Sequence, residues 1–581
     1  MQVRLVKRTY MSFHTLLTSP EFTRCSPPAV ANFHKLDSST LAERWITECR
    51  HNHKECTSTK SDFRPKRLVQ IINENHWKLV FARTLPRGDG IDYVALSHCW
   101  GGSTQLLKLT ENNECQFQDR MQVDILPTTF KEAISTCMEL KYQYLWIDSL
   151  CITQDSPEDW QEQAAEMGSV YENAALNLCM AGSRNPSEPS FVSRNTDLIL
   201  PLSITLANFW GAATTFHIIC DGIYDIDIKN TPLRDRGWVF QEWYLAKRSL
   251  IFGRMQLCWQ CCERLACETI PTGISGTELD SSDIVEAAAM KRKAIYGSND
   301  LSPSLQHWWD LVTQYASTKL TEEMKDRIIA FSGIATAFGE RFNMDYQYLA
   351  GMWRSHLPRA LLWSQCSASE TYRSLEGYKA PSWSWMSLDG PVSLRGSWPV
   401  ISKGSHYCSL ERVDLSLVDE RNMTGQLEGG SIHVHGHLLR LQKGSDARDI
   451  NVELVLRHFD HDRGGSQILW DERDDNGFAV VSHFEKPVTE PCHGGLQREF
   501  SRTRTSLRHA NGSIFALPIS SYGGEELGRT CAVGLVLYQP LHQLDVFHRV
   551  GLYDIDDSLD FTVSFQDRLK SQYPARSICI V

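Results

Sequence analysis

Between residues 91 and 265 the chain alternates short apolar runs with longer segments whose apolar residues recur every three or four positions. "YVALSHCW" (93–100) reads as a buried strand closed by Gly101 and Gly102. "PTTFKEAISTCMELK" (127–141) sets Phe130, Ile134, Cys137 and Met138 on one face of a helix. "YLWIDSLCI" (144–152) reads as a second buried strand and "AALNLCMAG" (174–182) as a third. A helix is predicted between them. Ser156 suits its N-cap, Pro157 its first turn and Asp159 the capping-box position, after which Trp160, Ala164, Met167 and Tyr171 follow at helical spacing. "RDRGWVFQEWYLAKR" (234–248) is a further helix, and "SLIFG" and "MQLCWQC" two more short strands. Strands alternating with helices predict an α/β fold with a mostly parallel sheet, which binds ligands at the carboxyl ends of its strands.

The pattern changes on both sides of this stretch. Residues 1–90 form an N-terminal flanking segment, with the helix-like "LAERWITECRHNHKEC" followed by a short strand. Polar residues with Asn185, Pro186 and Pro189 open an insertion at about 183–232. Residues 266–390 read as a helical extension, carried by "LQHWWDLVTQYASTKLT", "MKDRIIAFSGIATAFGERF" and "YLAGMWRSHLPRALLW". Residues 391–581 form a β-rich C-terminal region of short alternating segments, among them "SIHVHGHLL", "NVELVLRHF", "FAVVSHFE", "CAVGLVLYQ" and "DFTVSFQ". No tandem repeat of solenoid or propeller length is apparent.

Composition narrows the function classes. The 581 residues carry a net charge of −11, and the longest basic run is "RPKR" (64–67), so the electrostatic footprint of a nucleic-acid binder is missing. No apolar run approaches the roughly 20 residues of a membrane span. The expectation is therefore a cytoplasmic protein with no nucleic-acid partner and no membrane span. The 18 Cys are scattered, many in apolar segments, which suits reduced buried thiols better than a disulfide framework.

Several groups carry candidate chemistry. No phosphate-binding glycine loop of either common type is present. "SHCWGG" places Ser97, His98 and Cys99 together, but neighbours in an extended strand face opposite ways, and no hydrolase signature surrounds them. Asp148 is a carboxylate in an apolar run. It either fixes a loop through backbone N–H groups or faces a ligand at the strand exit, where Gln154 follows. Cys49, His53 and Cys56 have zinc-like chemistry, but no fourth partner is spaced to join them. Cys258, Cys261, Cys262 and Cys267 sit in a strand-like run that favours packing, so no metal is expected. His433, His435 and His437 alternate with Ile432, Val434, Gly436 and Leu438, the pattern of a half-buried strand with its polar side out. Trp238 and Glu242 lie four apart on one helical face, either as part of a pocket or as core and surface, with Arg234, Arg236 or Lys247 as salt-bridge partners for the carboxylate.

Three blocks in order, "YVALSHCWGG", "LWIDSLCITQDSPEDWQEQAAEMGSVYENA" and "RDRGWVFQEWYLAKRSLIFG", closely resemble the signature motifs of the fungal heterokaryon incompatibility (HET) domain. With flanks such as "APSWSWMSLDG" the resemblance covers roughly residues 40 to 390. It implies an effector of fungal non-self recognition and cell death. HET domains in turn resemble Toll/interleukin-1 receptor (TIR) domains, which implies a TIR/flavodoxin-like parallel sheet and NAD as a substrate, with no cofactor. On that resemblance Glu242 is the catalytic carboxylate and Trp238 shapes the pocket. Ser97, Trp100 and Gly101 close the first strand and form either the mouth of that pocket or a tight turn with Trp100 as core, and Asp148, Gln154 and Gln241 complete the substrate-site candidates. The alternative is a non-enzymatic module that signals by self-association or by recruiting an unknown protein partner.

Overall fold

The computed structural model describes residues 13–16, 37–57, 62–86, 91–102, 106–192, 202–206, 214–220, 225–273, 301–320, 323–344, 347–366, 378–394, 406–441, 466–470, 512–524, 529–543, 545–557, 569–571 and 573–581. The chain divides into two compact units, residues 1–298 and 299–581.

The first unit is built on a nine-stranded sheet. Its strands are β1 (Arg67–Asn73), β2 (His76–Phe81), β3 (Tyr93–Ser97), β4 (Met121–Gln122), β5 (Tyr144–Trp146), β6 (Leu176–Cys179), β7 (Arg248–Phe252), β8 (Leu257–Cys261) and β9 (Leu265–Cys267). They stand in the order β9-β8-β7-β6-β3-β5-β1-β2-β4. The four central strands β5, β3, β6 and β7 are parallel. The flanks are antiparallel on both sides, so the sheet is mixed where the sequence predicted a mostly parallel one. In chain order the parallel strands stand 2-1-3-4. The chain steps from β3 to β5, then returns past β3 to β6, and in open α/β sheets such a reversal is where ligands bind, here at the carboxyl ends of β3 and β6.

Among the described residues four longer helices accompany the sheet: α1 (Asp37–Asn52), α2 (Thr128–Glu139), α3 (Pro157–Asn173) and α4 (Gly237–Leu245). Helix α2 buries Phe130, Ile134 and Cys137 but leaves Met138 at the surface. At the start of α3 the Ser156 hydroxyl accepts the Asp159 N–H, as the capping pattern requires. The Asp159 carboxylate instead binds Arg67, Lys66 and the Thr153 N–H, tying the helix to the start of β1. The core beneath these elements is rich in indole, with Trp45, Trp77, Trp146 and Trp259 fully buried and Trp45 stacked on Trp259.

The segment read as one strand over 144–152 is two elements. The strand stops at Trp146, and Asp148–Cys151 form one helical turn. Asp148 initiates the turn because its Oδ1 accepts the Ser149 N–H at 2.7 Å, a bond that competes with the sheet ladder. Within the insertion, Leu202–Leu206 and Thr214–Cys220 pair antiparallel, and Phe13–Leu16 adds a third strand to them.

The second unit opens with α5 (Leu301–Ala316) and α6 (Glu323–Arg341), which pack Trp308 on Phe331 and Phe338. The third predicted helix, over 348–363, does not form. Tyr348–Leu349 and Met352–Trp353 pair across Ala350 and Gly351, both at positive φ. A Cβ on Gly351 would lie 2.6 Å from the Trp385 ring nitrogen, whose N–H the Gly351 carbonyl accepts, so close indole packing selects the turn. Beyond it lie β10 (Cys408–Leu417), β11 (Leu427–Gly436), β12 (Leu439–Leu441), β13 (Ser466–Trp470), β14 (Ser513–Gly524), β15 (Arg529–Gln539), β16 (Val546–Asp557) and β17 (Arg576–Ile580). They form a sheet in the order β10-β11-β17-β16-β15-β14-β12, with β13 on β16. In β11, Ile432 and Val434 face inward while His433 and His435 face out beside Asp414 and Glu411. "NVELVLRHF", "FAVVSHFE" and "DFTVSFQ" lie outside the described residues.

Candidate functional site

Ser97 ends β3 and Asn177 lies in β6, both at the strand reversal. Parallel pairing brings the two strands side by side, and the Ser97 hydroxyl bonds Asn177 Oδ1 at 3.1 Å. Asn177 Nδ2 in turn donates to the Glu242 carbonyl at 3.5 Å, which fixes α4 against the strand ends. Tyr171, on the inner face of α3, donates its hydroxyl to the Leu96 carbonyl at 3.0 Å.

Glu242 lies among these groups, and it is buried with 2% of its surface exposed. Burial pushes its carboxyl up to about 7. The Arg236 charge and contacts with the Ser97 and Tyr171 hydroxyls pull the other way, and the Asp148 charge adds to the rise. The same two hydroxyls also bond Asn177 and the Leu96 carbonyl, which holds them in place beside the carboxyl. Glu242 Oε2 has no hydrogen-bond partner, and neither amide atom of the fully buried Gln241 has one.

Asp148 approaches from the far side of β3. Its Oδ2 accepts the Trp100 indole N–H at 2.6 Å, and its Oδ1 lies 3.8 Å from His98 Nδ1. His98 is buried against the edge of the Phe130 ring, and burial lowers its pKa to about 4, so the imidazole is neutral. Arg236 Nη1 binds the His98 carbonyl at the entry to α4. Gln154 donates to the Asp148 and Ile152 carbonyls and so braces the helical turn that carries Asp148.

Ser97, Trp100, Asp148 and Glu242 therefore form one cluster with His98, Tyr171, Asn177 and Arg236. Trp238 sits one turn before Glu242 and meets the edge of Trp160 at 6.3 Å, both indoles half-buried. Gly101 follows Trp100 in an exposed turn at φ +65°, where a Cβ would come within 2.5 Å of the Asn185 side chain. The salt-bridge partners proposed for Glu242 are placed differently. Arg234 stacks on Trp243 at 4.6 Å, and Arg236 acts on Glu242 through its charge while binding backbone.

Sequence reasoning missed Asn177 and Tyr171 as parts of the cluster and named Arg236 only as a salt-bridge partner for Glu242. Asn177 had a signal: it is the one polar side chain in "AALNLCMA". A surface cleft of about 660 Å³ at the opposite end of the same strands, lined by Arg50, Asp92 and Tyr142 among others, holds none of the expected site residues.

Comparison with known proteins points to the same stretch of chain. Residues 93–242 match the family model described as heterokaryon incompatibility protein (HET). The match runs from the first residue of β3 to Glu242. A curated relative, heterokaryon incompatibility protein 6, OR allele, of Neurospora crassa, is 31% identical over 101 residues. That alignment covers 16% of this chain and 14% of the relative, so only a small part of the relative's length is represented. No solved structure matches. Over residues 93–242 this chain is similar to the HET family.

Proposed function

We propose that this chain, with a HET-family match over residues 93–242, is an effector of fungal heterokaryon incompatibility that cleaves the nicotinamide–ribose bond of NAD at Glu242. The carrying observation is Glu242 itself: a buried carboxyl with its pKa raised to about 7 and an unpartnered oxygen, beside the strand ends where the strand order reverses. The 2-1-3-4 order of the parallel strands, shared with flavodoxin-like sheets, supports the TIR-like reading.

The chemistry needs one carboxylate. The bond between ribose and the cationic nicotinamide ring breaks with its electron pair leaving on the ring nitrogen, which yields neutral nicotinamide and an oxocarbenium-like ribose. Ionised Glu242 stabilises that cation and accepts a proton from the water that adds to it, leaving ADP-ribose. Trp238 and Trp160 offer aromatic faces for a base. Because Glu242 must be ionised, nicotinamide release should rise with pH through about 7 and level off above it.

The near-complete burial of Glu242 favours a second reading, in which the cluster is a closed structural interior and the domain signals by self-association or partner recruitment. The full chain incubated with NAD, dilute and at concentrations that drive association, separates the two by chromatography of the products. Nicotinamide from the parent and none from Glu242→Gln supports the enzyme. No nicotinamide under any of these conditions supports the binding module.

A further inference from the structure

Sequence spacing offers Cys49, His53 and Cys56 without a fourth partner, and the fold supplies one. The His53 N–H bonds the Cys49 carbonyl at 3.2 Å, continuing the last turn of α1, so these two side chains share a face, and Cys56 returns three residues later. Cys261, the last residue of β8, comes to the same point from 208 positions beyond His53, its Sγ 3.3 Å from His53 Nδ1. The three sulfurs and the imidazole nitrogen all lie within 4.8 Å of one another, and all four residues are buried. A tetrahedral zinc ion with sulfur at about 2.3 Å would space its sulfurs about 3.8 Å apart, so a contraction of about 1 Å at most brings the set into coordination.

The surroundings suit a metal better than packing. Arg248 faces Cys261 across the β7–β8 pair, directs Nε at Cys49 Sγ (3.3 Å) and Nη2 at the Cys56 carbonyl (2.8 Å), and is itself buried. Three thiolates and a neutral imidazole around a divalent cation carry one net negative charge, which that guanidinium balances. An apolar interior gives no reason to gather a histidine and an arginine around three thiols. The Glu55 N–H also bonds the Glu263 carboxylate at 2.7 Å, which pins the loop to the β8–β9 turn. Cys262, the next residue, turns its thiol to the Lys247 carbonyl.

We infer that Cys49, His53, Cys56 and Cys261 form a structural zinc site that fastens α1 and its following loop to the end of β8. Four protein ligands leave no position for water or substrate, so the ion is a staple and not a catalyst. On coordination the thiols lose their protons to solvent. The clasp closes a loop of about two hundred residues around the whole parallel sheet, the kind of long closure whose entropy a metal clip offsets.

The test uses the full chain, purified under reducing conditions without metal-affinity resin and analysed for metal by mass spectrometry. The expected result is about one zinc per chain, lost in Cys261→Ser and His53→Ala but kept in Cys137→Ser, a buried thiol on α2 outside the cluster. Cobalt exchanged into the parent should give thiolate charge-transfer and tetrahedral visible bands, a readout independent of whether the variants fold. A reduced, zinc-saturated parent that retains less than about a tenth of an equivalent and shows no such bands overturns the site. So would Cys261→Ser retaining the parent's zinc and cobalt spectrum.

Discussion

At the residue scale, Glu242 makes a statement about stability as well as chemistry. Its folded pKa of about 7 lies above the ordinary 4.5, so the folded state binds the extra proton and the carboxyl costs stability as pH rises between those values. Glu242→Gln removes that cost. The variant should match the parent near pH 4 and exceed it at pH 8 by on the order of 3 kcal/mol at most, read from urea unfolding at the two pH values. A variant less stable than the parent at pH 8 would mean that Glu242 is a paired anion in the fold. Gly101 teaches a different lesson. Its positive φ and its contact with Asn185 make any side chain there a backbone problem, so Gly101→Ala should lose about 1 to 2 kcal/mol in a thermal melt whatever ligand the domain binds. A wild-type melting temperature in Gly101→Ala would contradict that.

At the element scale, α3 is held to β1 by Asp159. Burial alone would raise this carboxyl, but Lys66, the Thr153 N–H and Arg67 together hold it below the usual range. A depressed folded pKa means that the stabilisation is present above the unfolded value, near 3.8, and is lost as pH falls below it. Asp159→Asn leaves the buried Arg67 with Glu114 and a carbonyl only, and should cost about 2 to 4 kcal/mol at pH 7. The gap between variant and parent should shrink as pH drops below 3.8; an unchanged gap would show that packing, not charge, anchors the helix. Sequence showed this helix well, because Ser156, Pro157 and the apolar spacing after them are local signals. It misread 144–152 as one strand because Asp148 spends its side chain on its own backbone, which periodicity cannot register. The helix read over 348–363 failed for a related reason: Gly351 turns the chain to fit Trp385, more than thirty residues away.

At the scale of the whole molecule, what was legible is what the chain encodes locally, and what was not is what distant segments make together. The four parallel strands were visible as apolar runs, but nothing near β1 or β8 announces that they extend the same sheet antiparallel. Ser97, Asp148 and Glu242 were each visible as polar groups in apolar company. Asn177 and Tyr171, which join Ser97 to α4 and α3, read as ordinary strand and helix positions because their partners are 65 and 75 residues away. The same holds for Cys261 opposite Cys49. The central proposal, that this chain destroys NAD through Glu242, is tested most directly by expressing the parent and Glu242→Gln at matched protein levels in fungal cells and measuring cellular NAD as the cells die. The account predicts that NAD collapses before death with the parent, and that both NAD and viability hold with the variant. Equal killing by the two with NAD untouched would contradict it.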